Sequence, residues 1–316
     1  MIMAETKRIA TRDSYGKALA ELGRENPNVV VLDADLADST RTSVFRKEFP
    51  ERHIDCGIAE SNMMSIAAGL AAAGKIPFAS SFAMFAAGRA YEQVRNSIGY
   101  PHLNVKICAT HAGISVGEDG ATHQCNEDMA LMRSIPGMIV INPADDVEAR
   151  AAVKAAAEYE GPVYIRFGRL AVPVVNDEET FKLEIGKAVT LREGTDITII
   201  ATGLLVERAL QAADQLEAEG VSVRVLDMHT IKPIDREAVL AAAKETKGIV
   251  TAEEHSVIGG LYSAVCEVVC GEAPCKVSPV AIMDEFGCSG EATQLLEVFN
   301  LNAKTIVEKA KAILNA

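Results

Sequence analysis

Uninterrupted runs of β-branched and apolar residues recur along the chain, each followed by a stretch with helical periodicity. Three such runs lie in the first half, at "NVVVLDADL" (28–36), "NVKICATHAG" (104–113) and "GPVYIRFGR" (161–169). A strand that is apolar on both sides must be covered on both faces, and strands that alternate with helices pair in parallel. The pattern therefore predicts an α/β fold with a mainly parallel, twisted sheet between two layers of helices.

A second α/β unit follows a change in sequence composition near residue 171. The segment "AVPVVNDEETFKLEIGKAVT" (171–190) has one proline, several acids and short β-type runs but no long helix, which is typical of a linker. After it, "DITIIATG" (196–203), "VSVRVLDMHTI" (221–231) and "GIVTAEE" (248–254) again alternate with helical stretches. We therefore predict a domain at 1–175, a linker at 176–190 and a second domain at 191–316, both of the same layered α/β type.

Composition excludes several classes of function. The chain carries a formal net charge of -13 and no long basic run, so we do not expect an extended contact with nucleic acid. No apolar run of 18 uncharged residues occurs, and the first residues, "MIMAETKRIATRDSYGKALAEL", contain no apolar core segment. We therefore expect neither a membrane span nor secretion, and predict a cytoplasmic protein.

Seven cysteines are spread along the chain without a CxxC pair or a histidine at ligand spacing. Cys266 and Cys270 lie four apart in "LYSAVCEVVC", and Cys275 follows soon after. On an apolar helix, cysteine packs as a small hydrophobic residue. We interpret the cysteines as reduced core residues and predict no metal site among them.

The segment "GLAAAGK" (69–75) has the glycine and lysine spacing of a phosphate-binding P-loop. Ile76 follows it, where Mg²⁺ coordination would require Ser or Thr, and the glycines end an Ala-rich helix instead of opening one. We interpret the small residues as a surface for close packing against another helix or backbone, with Gly74 as the helix cap.

Glu60 is the single carboxylate at the head of "ESNMMSIAAGLAA", an otherwise small and apolar helical run. The simpler interpretation is a first-turn glutamate that complements the helix dipole. The alternative is a carboxylate in a poorly hydrated site, able to share a proton with a ring nitrogen. The position alone does not decide between them.

Two further segments carry candidate functional groups. In "SSFAMFAAGRAYEQV" (80–94), Phe82 and Phe85 lie three apart and would share a face of a helix or turn. In "THAGISVGEDGATHQ" (110–124), two histidines and Asp119 lie among three glycines. Imidazoles and a carboxylate in a flexible loop can hold hydroxyl groups and relay protons. A metal site of histidine and carboxylate ligands is an alternative, although Asp119 and His123 lack an evident third ligand.

In their order and spacing, the motifs resemble the C-terminal half of transketolase, that is, its pyrimidine-binding and C-terminal domains. They are "CGIAESNMMSIAAGLA", "SSFAMF", "THAGISVGEDGATHQ", "GPVYIRFGR", "IATG" (200–203) and "DEFGCSGE" (284–291). The resemblance covers essentially the whole chain and is most specific at "GEDGATHQ", where the family usually has proline in place of Ala121.

The resemblance implies a site for thiamine diphosphate. Glu60 matches the family glutamate that hydrogen-bonds the aminopyrimidine ring, and the cofactor serves as an electron sink for attack on a ketose. Phe82 and Phe85 match aromatic residues that pack on the pyrimidine. A third family aromatic is replaced by Gly88, which leaves a looser pocket or a substitute in Tyr91.

The resemblance also implies a sugar-phosphate site and catalytic roles for Glu60, His111 and His123. Asp35 matches a position near the cofactor and the subunit interface. Residues that match contacts near the reacting end of the sugar are His111, Asp119 and His123. Residues that match the site for the distal phosphate are Arg12, Ser39 and Arg169, with Arg166 as an alternative to Arg169 if the alignment slips by one turn.

The family holds the diphosphate and Mg²⁺ with a GDG motif on a separate domain, and this chain contains no "GDG". The resemblance therefore implies a split transketolase, in which an N-terminal subunit carries the GDG motif and holds the diphosphate and the Mg²⁺ or Ca²⁺. The expected assembly is α2β2, with the cofactor between chains. The implied reaction is transfer of a two-carbon ketol unit between sugar phosphates, as in the pentose phosphate pathway.

Three alternatives remain on sequence grounds. A 1-deoxyxylulose-5-phosphate synthase-like chain shares the "DG-TH-Q" core, but the resemblance to that family would imply Arg at the position of His111. The beta subunit of a 2-oxo-acid dehydrogenase has a similar size and a separate partner, but lacks the "GEDGATHQ" loop. A non-catalytic module of the same fold is the third alternative, and the retention of Glu60, Asp119 and both histidines argues against it.

Overall fold

The structure is a computed structural model that describes residues 7–316. Strands and helices alternate along most of the chain, as the sequence predicts. The strands are β1 (Arg8–Ala10), β2 (Val29–Asp33), β3 (His53–Asp55), β4 (Ile76–Phe82), β5 (Lys106–Thr110), β6 (Ile139–Ile141), β7 (Val163–Arg166), β8 (Ala171–Pro173), β9 (Val189–Arg192), β10 (Ile197–Ala201), β11 (Val223–Asp227), β12 (Thr230–Lys232), β13 (Ile249–Ser256) and β14 (Val277–Ile282). The helices are α1 (Thr11–Glu25), α2 (Ala37–Thr40), α3 (Thr42–Glu48), α4 (Glu60–Ala72), α5 (Tyr91–Gln93), α6 (Asp128–Arg133), α7 (Asp146–Glu158), α8 (Leu205–Glu217), α9 (Arg236–Glu245), α10 (Leu261–Glu272), α11 (Ala292–Val298) and α12 (Ala303–Leu314).

The first sheet has seven strands in the order β12-β6-β7-β5-β4-β2-β3. All neighbours pair in parallel except β12, which runs antiparallel to β6. Strands β2 and β5 are buried along their whole length, as their continuous apolar sequences predict. Helices α1, α3 and α7 cover one face, and α4, α6 and the helical turns near Phe85 cover the other. The predicted layered α/β architecture is confirmed.

The second sheet has five strands in the order β14-β13-β10-β11-β9, parallel except for β9. Helices α8 and α12 cover one face of it, and α9 and α10 cover the other. The apolar core around α9 and α10 continues into the first sheet, since Val265 and Leu226 belong to the same cluster as Leu32 and Ala79. The two layered units are therefore joined by a common hydrophobic core.

One strand crosses between the units. Strand β12 lies within the range predicted for the second domain, yet it forms the edge of the first sheet, with Thr230 opposite Ile141. The segment after β8 is held to the first unit, because Asp145 accepts hydrogen bonds from the backbone N–H groups of Val175 and Asn176. The same side chain caps α7 by accepting from the Glu148 N–H. The division at 1–175, 176–190 and 191–316 stays a prediction, and β12 shows where it does not follow the sheets.

The P-loop-like segment forms the end of a helix. Gly69 lies within α4, and Gly74 follows the last turn with a φ of 84°. The predicted helix end is confirmed, because glycine adopts this left-handed backbone without strain. The predicted close packing is wrong for Gly69 within the described residues, since a Cβ there would meet no atom within 4 Å.

All seven cysteines are free thiols, and Cys108 and Cys125 lie in the core. Cys270 on α10 and Cys288 are exposed, so the predicted core position is wrong for both. Cys266 and Cys275, the neighbours of Cys270 in sequence, are half-buried. Within residues 7–316, no helix has the length and apolar character needed to cross a membrane.

Candidate active site

The predicted functional residues follow the carboxyl ends of parallel strands in the first sheet. Glu60 comes after β3, Phe85 after β4, His111 after β5 and Arg169 after β7, and Asp35 follows β2. Because parallel strands end at one edge of a sheet, these segments meet there, where α/β proteins bind ligands. A cavity of about 640 Å³ opens at this edge.

Glu60 is the first residue of α4 and is only 2% exposed. Both of its carboxylate oxygens accept hydrogen bonds from Nη1 of Arg89, at 3.0 and 2.9 Å. The Arg89 side chain is 51% exposed, and its guanidinium carbon lies 4.5 Å from the centre of the Phe85 ring. Glu60 is therefore a buried carboxylate whose partner reaches it from the solvent side. A surface glutamate that only complements the helix dipole would not be buried in this way.

Four rings are packed together next to Glu60's partner. Phe82 stacks on His111 with ring centres 3.8 Å apart, and on Phe85 at 5.9 Å. His123 meets the ring of Phe85 edge-on at 5.4 Å. The structure thus brings together both predicted aromatics and both predicted histidines. Phe85 borders the cavity, whereas Phe82 is buried beneath His111.

His111 is buried and its two ring nitrogens have different partners. Nε2 lies 2.9 Å from Nη1 of Arg12, and Nδ1 lies 2.9 Å from Oγ1 of Thr110. Burial, and then the nearby cations Arg12 and Arg169, lower the pKa of His111 to about 3. The ring is therefore neutral near pH 7. Since a guanidinium can only donate, Nε2 is the acceptor and the proton resides on Nδ1.

A cluster of cations surrounds His111. Arg12 donates from Nη1 to the backbone oxygen of Ser39 at 3.1 Å, and Arg169 donates to the backbone oxygen of Val116 at 2.7 Å. Burial lowers the pKa of Arg12, and the positive charges of Arg41 and Arg169 act in the same direction. Arg41 was not singled out in the sequence, although it follows Ser39 by two residues. A group of guanidinium ions of this kind suits a phosphate.

Arg166 and Arg169 occupy different surroundings. Arg166 is buried, donating from Nε to Asp128 at 2.9 Å and from Nη2 to the backbone oxygen of Glu254 at 2.8 Å. Arg169 is only half-buried, and its Nη1 lies 3.6 Å from the exposed carboxylate of Asp119. Only Arg169 is free to meet a ligand from solvent, so the geometry favours it over Arg166 as a phosphate contact.

Three other predicted positions lie near the edge of the site. Asp35 is exposed, and with Asp38 and Asp55 it borders a depression of about 150 Å³. A side chain at Gly88 would collide with the methyl group of Met84, which already borders the cavity. Tyr91 hydrogen-bonds Ser134 through its hydroxyl at 2.8 Å. It is not among the residues that border the cavity, so this structure gives it no part in the aromatic pocket.

Residues of both units line the cavity. Phe85, Arg89 and Gln124 border it on one side, and Ser256 and Phe286 on the other. Arg89 is a residue that sequence reasoning did not single out. Arg89 lies four positions after Phe85, a helical spacing that is consistent with its contact with that ring. Its pairing with Glu60, 29 positions away in sequence, could be found only in three dimensions. Within residues 7–316, no group of three or more His, Cys, Asp or Glu side chains is arranged to hold a metal ion.

Comparison with known proteins agrees with this geometry. The model of the transketolase pyrimidine-binding domain matches residues 7–174, and that of the transketolase C-terminal domain matches residues 186–306. The chain is 50% identical over 300 residues to a transketolase C-terminal section of Methanocaldococcus jannaschii, covering 94% of each protein. It is 45% identical over 303 residues to a 6-deoxy-6-sulfo-D-fructose transketolase subunit of Clostridium sp., covering 96% of this chain and 94% of that protein.

A solved structure gives the same result. The chain superimposes on a split-gene transketolase, described as an inactive β4 tetramer, with a TM-score of 0.91 and 56% identity, over 97% of this chain and 99% of that one. These relatives are transketolases, so they do not favour the synthase, dehydrogenase or non-catalytic alternatives. The chain belongs to the transketolase family, as a C-terminal subunit of the split, two-chain type.

Proposed function

We propose that this chain transfers a two-carbon ketol unit from a ketose phosphate to an aldose phosphate, together with a partner subunit and thiamine diphosphate. The observation that carries the proposal is Glu60, a buried carboxylate paired with a planar cation beside the Phe85 ring. Around it lie the two histidines and the arginine cluster that the reaction would use. No simpler structural role explains all of these groups at one edge of the sheet.

The residues around Glu60 fit the aminopyrimidine of thiamine diphosphate. The Arg89 guanidinium is a flat group with N–H donors that pairs with the carboxylate while lying over Phe85. An aminopyrimidine is likewise flat, and its ring nitrogen can pair with a carboxyl group when the two share a proton. Arg89 therefore stands in for the kind of group that this place accepts. In the proposed complex, Glu60 holds the pyrimidine and shares a proton with its ring nitrogen, Phe85 packs on it, and Phe82 supports the packing from below.

The cofactor, when bound, supplies an electron sink for cleavage of a carbon–carbon bond next to a carbonyl. The residues of this chain bind and orient the sugar. Neutral His111 can accept a hydrogen bond from the sugar at Nε2 once Arg12 turns to a phosphate, and His123 offers a second imidazole from the same loop. Asp119 would contact sugar hydroxyls, while Arg12, Arg169 and Ser39 would hold the distal phosphate. Asp35 would lie near the cofactor at the subunit interface.

A partner subunit is part of the proposal. Because the 316 residues contain no GDG motif, we expect a separate N-terminal subunit to hold the diphosphate and a Mg²⁺ or Ca²⁺ ion. The described inactivity of the similar β4 tetramer supports the idea that chains of this type need a partner. The proposed assembly is α2β2, located in the cytoplasm, with sugar phosphates as ligands and no role for nucleic acid or membrane.

Reconstitution tests this proposal. The chain and the N-terminal subunit encoded with it should be purified separately and mixed with Mg²⁺ and thiamine diphosphate. We expect ketol transfer from the mixture and none from either subunit alone. A panel of ketose donors and phosphorylated or sulfonated acceptors would identify the sugars and the pathway, and pyruvate would test the synthase and dehydrogenase reactions. Full activity of this chain alone, or turnover of pyruvate only, would contradict the proposal.

A further inference from the structure

The loop that carries the two histidines, residues 111–124, is held by a carboxylate from the other unit. Glu254 lies on β13 of the second sheet and is 2% exposed. Its Oε1 accepts a hydrogen bond from the backbone N–H of Ser115, which is 139 positions away in sequence. We call residues 111–124 the histidine loop. A buried carboxyl oxygen that accepts from a backbone N–H makes a directional contact that is costly to lose.

The histidine loop is shaped to receive this carboxylate. Gly113 has a φ of 78°, and a Cβ there would lie 2.3 to 2.6 Å from the carboxyl atoms of Glu254. Two separate causes therefore require glycine at this position, the left-handed backbone and the close approach of Glu254. Gly113 also donates its N–H to the backbone oxygen of Cys125 at 2.8 Å, which closes the base of the loop.

Glu254 is itself held in place by a buried network. Arg166 donates to the Glu254 backbone oxygen at 2.8 Å and to Asp128 at 2.9 Å, and Tyr164 donates to the same oxygen of Asp128 at 2.8 Å. Asp128 and Arg166 are both buried, so this network has little freedom to move. The backbone that carries the Glu254 carboxyl group is thus anchored by buried side chains of the first unit.

Two contacts further along the loop also come from the second unit. Gln124 donates from Nε2 to the backbone oxygen of Cys288 at 2.9 Å, and Ser289 donates from Oγ to the backbone oxygen of Glu118. These contacts bind the middle and the end of the histidine loop, whereas Glu254 binds its first turn. Of the three side chains that make these contacts, Glu254 is the ionisable one, and it is only 2% exposed, so little water competes for its hydrogen bond.

We propose that Glu254 is a positioning residue, through which the second domain sets the conformation of the histidine loop and hence the placement of His111 and His123. Its effect on turnover rests on the proposed transketolase function. The residue does not border the cavity, so it acts through the Ser115 N–H and Gly113. Small displacements of binding groups lower rates strongly, because reacting atoms must be held close to productive geometry.

Three variants of the full chain, each assembled with its partner, test this role. Glu254→Ala removes the acceptor, and Glu254→Gln keeps a side-chain oxygen that can accept from Ser115. Glu253→Ala is the matched control, because Glu253 is an equally buried neighbour on β13 that instead caps α10 through the N–H groups of Leu261 and Tyr262. We expect Glu254→Ala to lower kcat/KM roughly 10- to 100-fold. Glu253→Ala should lower Tm as much as Glu254→Ala does, but should keep kcat/KM within about threefold of the parent. Glu254→Gln should also keep kcat/KM within about threefold of the parent.

Hydrogen exchange gives a second readout that does not depend on the reaction. In the chain without partner, Glu254→Ala should speed amide exchange in residues 111–124, while Glu253→Ala should speed it at the start of α10. Equal kcat/KM for the two alanine variants, an impairment of Glu254→Gln as large as that of Glu254→Ala, or unchanged exchange in the histidine loop would each overturn the proposal. Absence of ketol transfer in the parent complex would instead count against the proposed function, with the exchange result still deciding the role of Glu254.

Discussion

Glu60 and Glu254 are both 2% exposed, yet their partners differ in kind. Glu60 is paired with one guanidinium, that of Arg89, whose side chain is half in solvent. Glu254 accepts from a backbone N–H and lies beside the buried Arg166. The partner of Glu60 can leave without disturbing the fold, whereas the partners of Glu254 belong to the fold itself.

The contrast shows that burial alone does not distinguish a group that meets a ligand from a group that holds the site in shape. An exchangeable partner leaves a carboxylate available to a ligand that offers the same hydrogen bonds. A fixed partner makes the carboxylate part of the scaffold, and its removal acts at a distance. The mobility of the partner therefore distinguishes a ligand-binding carboxylate from a structural one. Substitutions at Glu60 and at Glu254 can each test this distinction.

The largest effect is expected from Glu60→Gln in the reconstituted enzyme. Glutamine keeps the size of the side chain but cannot share a proton with the pyrimidine, so we expect turnover to fall at least about 100-fold. Circular dichroism and Tm of the chain should remain close to the parent, because an amide oxygen can still accept from Arg89. Turnover measured with a fixed ketose donor at saturating cofactor provides the check.

The matched control for this change is Glu92→Gln. Glu92 is an exposed carboxylate on α5 that bonds Gln93 and Asn96, away from the cavity. Its replacement should leave turnover unchanged. Near-normal turnover in Glu60→Gln would restore the simpler interpretation of this residue as a complement to the helix dipole.

A smaller effect, on stability, is expected at Glu254. Burial raises its pKa to about 7, with Asp128 acting in the same direction and Arg166 and the Ser115 N–H opposing it. The unfolded chain releases this proton near the usual pKa of glutamate, so the folded state binds more protons between about pH 4.5 and 7. The contribution of Glu254 to the free energy of unfolding is therefore fully present below that range and is lost as the pH rises through it.

Glu254→Gln should flatten this loss by up to about 1.4 kcal/mol per pH unit. Urea unfolding of the chain at several pH values between 4.5 and 7 would measure the slope for the parent and the variant. Glu237→Gln serves as the control, since that carboxylate is exposed and paired with Lys187. Identical slopes for the parent and Glu254→Gln would mean that Glu254 is not titrating in the folded state as described.

Local patterns in the sequence predicted much of the fold. The strands β2, β5 and β7 follow from the apolar runs in the sequence, and α7 begins directly after Asp145, a residue type that caps helices. Such features depend on residues within one turn or one strand, so a single sequence contains them. The position of β12 does not follow this rule, because the strand that it joins is selected by the packing of two distant segments.

The candidate site divides in the same way. His111, His123, Phe82 and Phe85 could be proposed from short motifs, and the structure places them in one cluster. The pairing of Glu60 with Arg89 and of Glu254 with Ser115 could not be predicted, because contacts of long sequence separation leave no periodic signal. The exposed position of Gly69 has a related cause, since small residues at helical spacing show that close approach is allowed but not which surface makes it.

The smallest effect is expected from Arg89→Ala, which tests directly whether a ligand can replace the partner of Glu60. In the structure, Arg89 must release Glu60 before a pyrimidine can pair with that carboxylate. An ion pair with one exposed partner contributes about 0.5 to 1 kcal/mol, and a carboxylate without a partner gains more from a ligand. Removing Arg89 should therefore tighten the binding of thiamine diphosphate to the two-chain complex by roughly two- to tenfold.

Isothermal titration calorimetry of the two-chain complex with thiamine diphosphate measures this change. Arg95→Ala is the control, because Arg95 is an exposed arginine that bonds Asn96. Weaker binding in Arg89→Ala than in Arg95→Ala would mean that Arg89 holds the cofactor instead of occupying its place, and the distinction between exchangeable and fixed partners would then fail at Glu60.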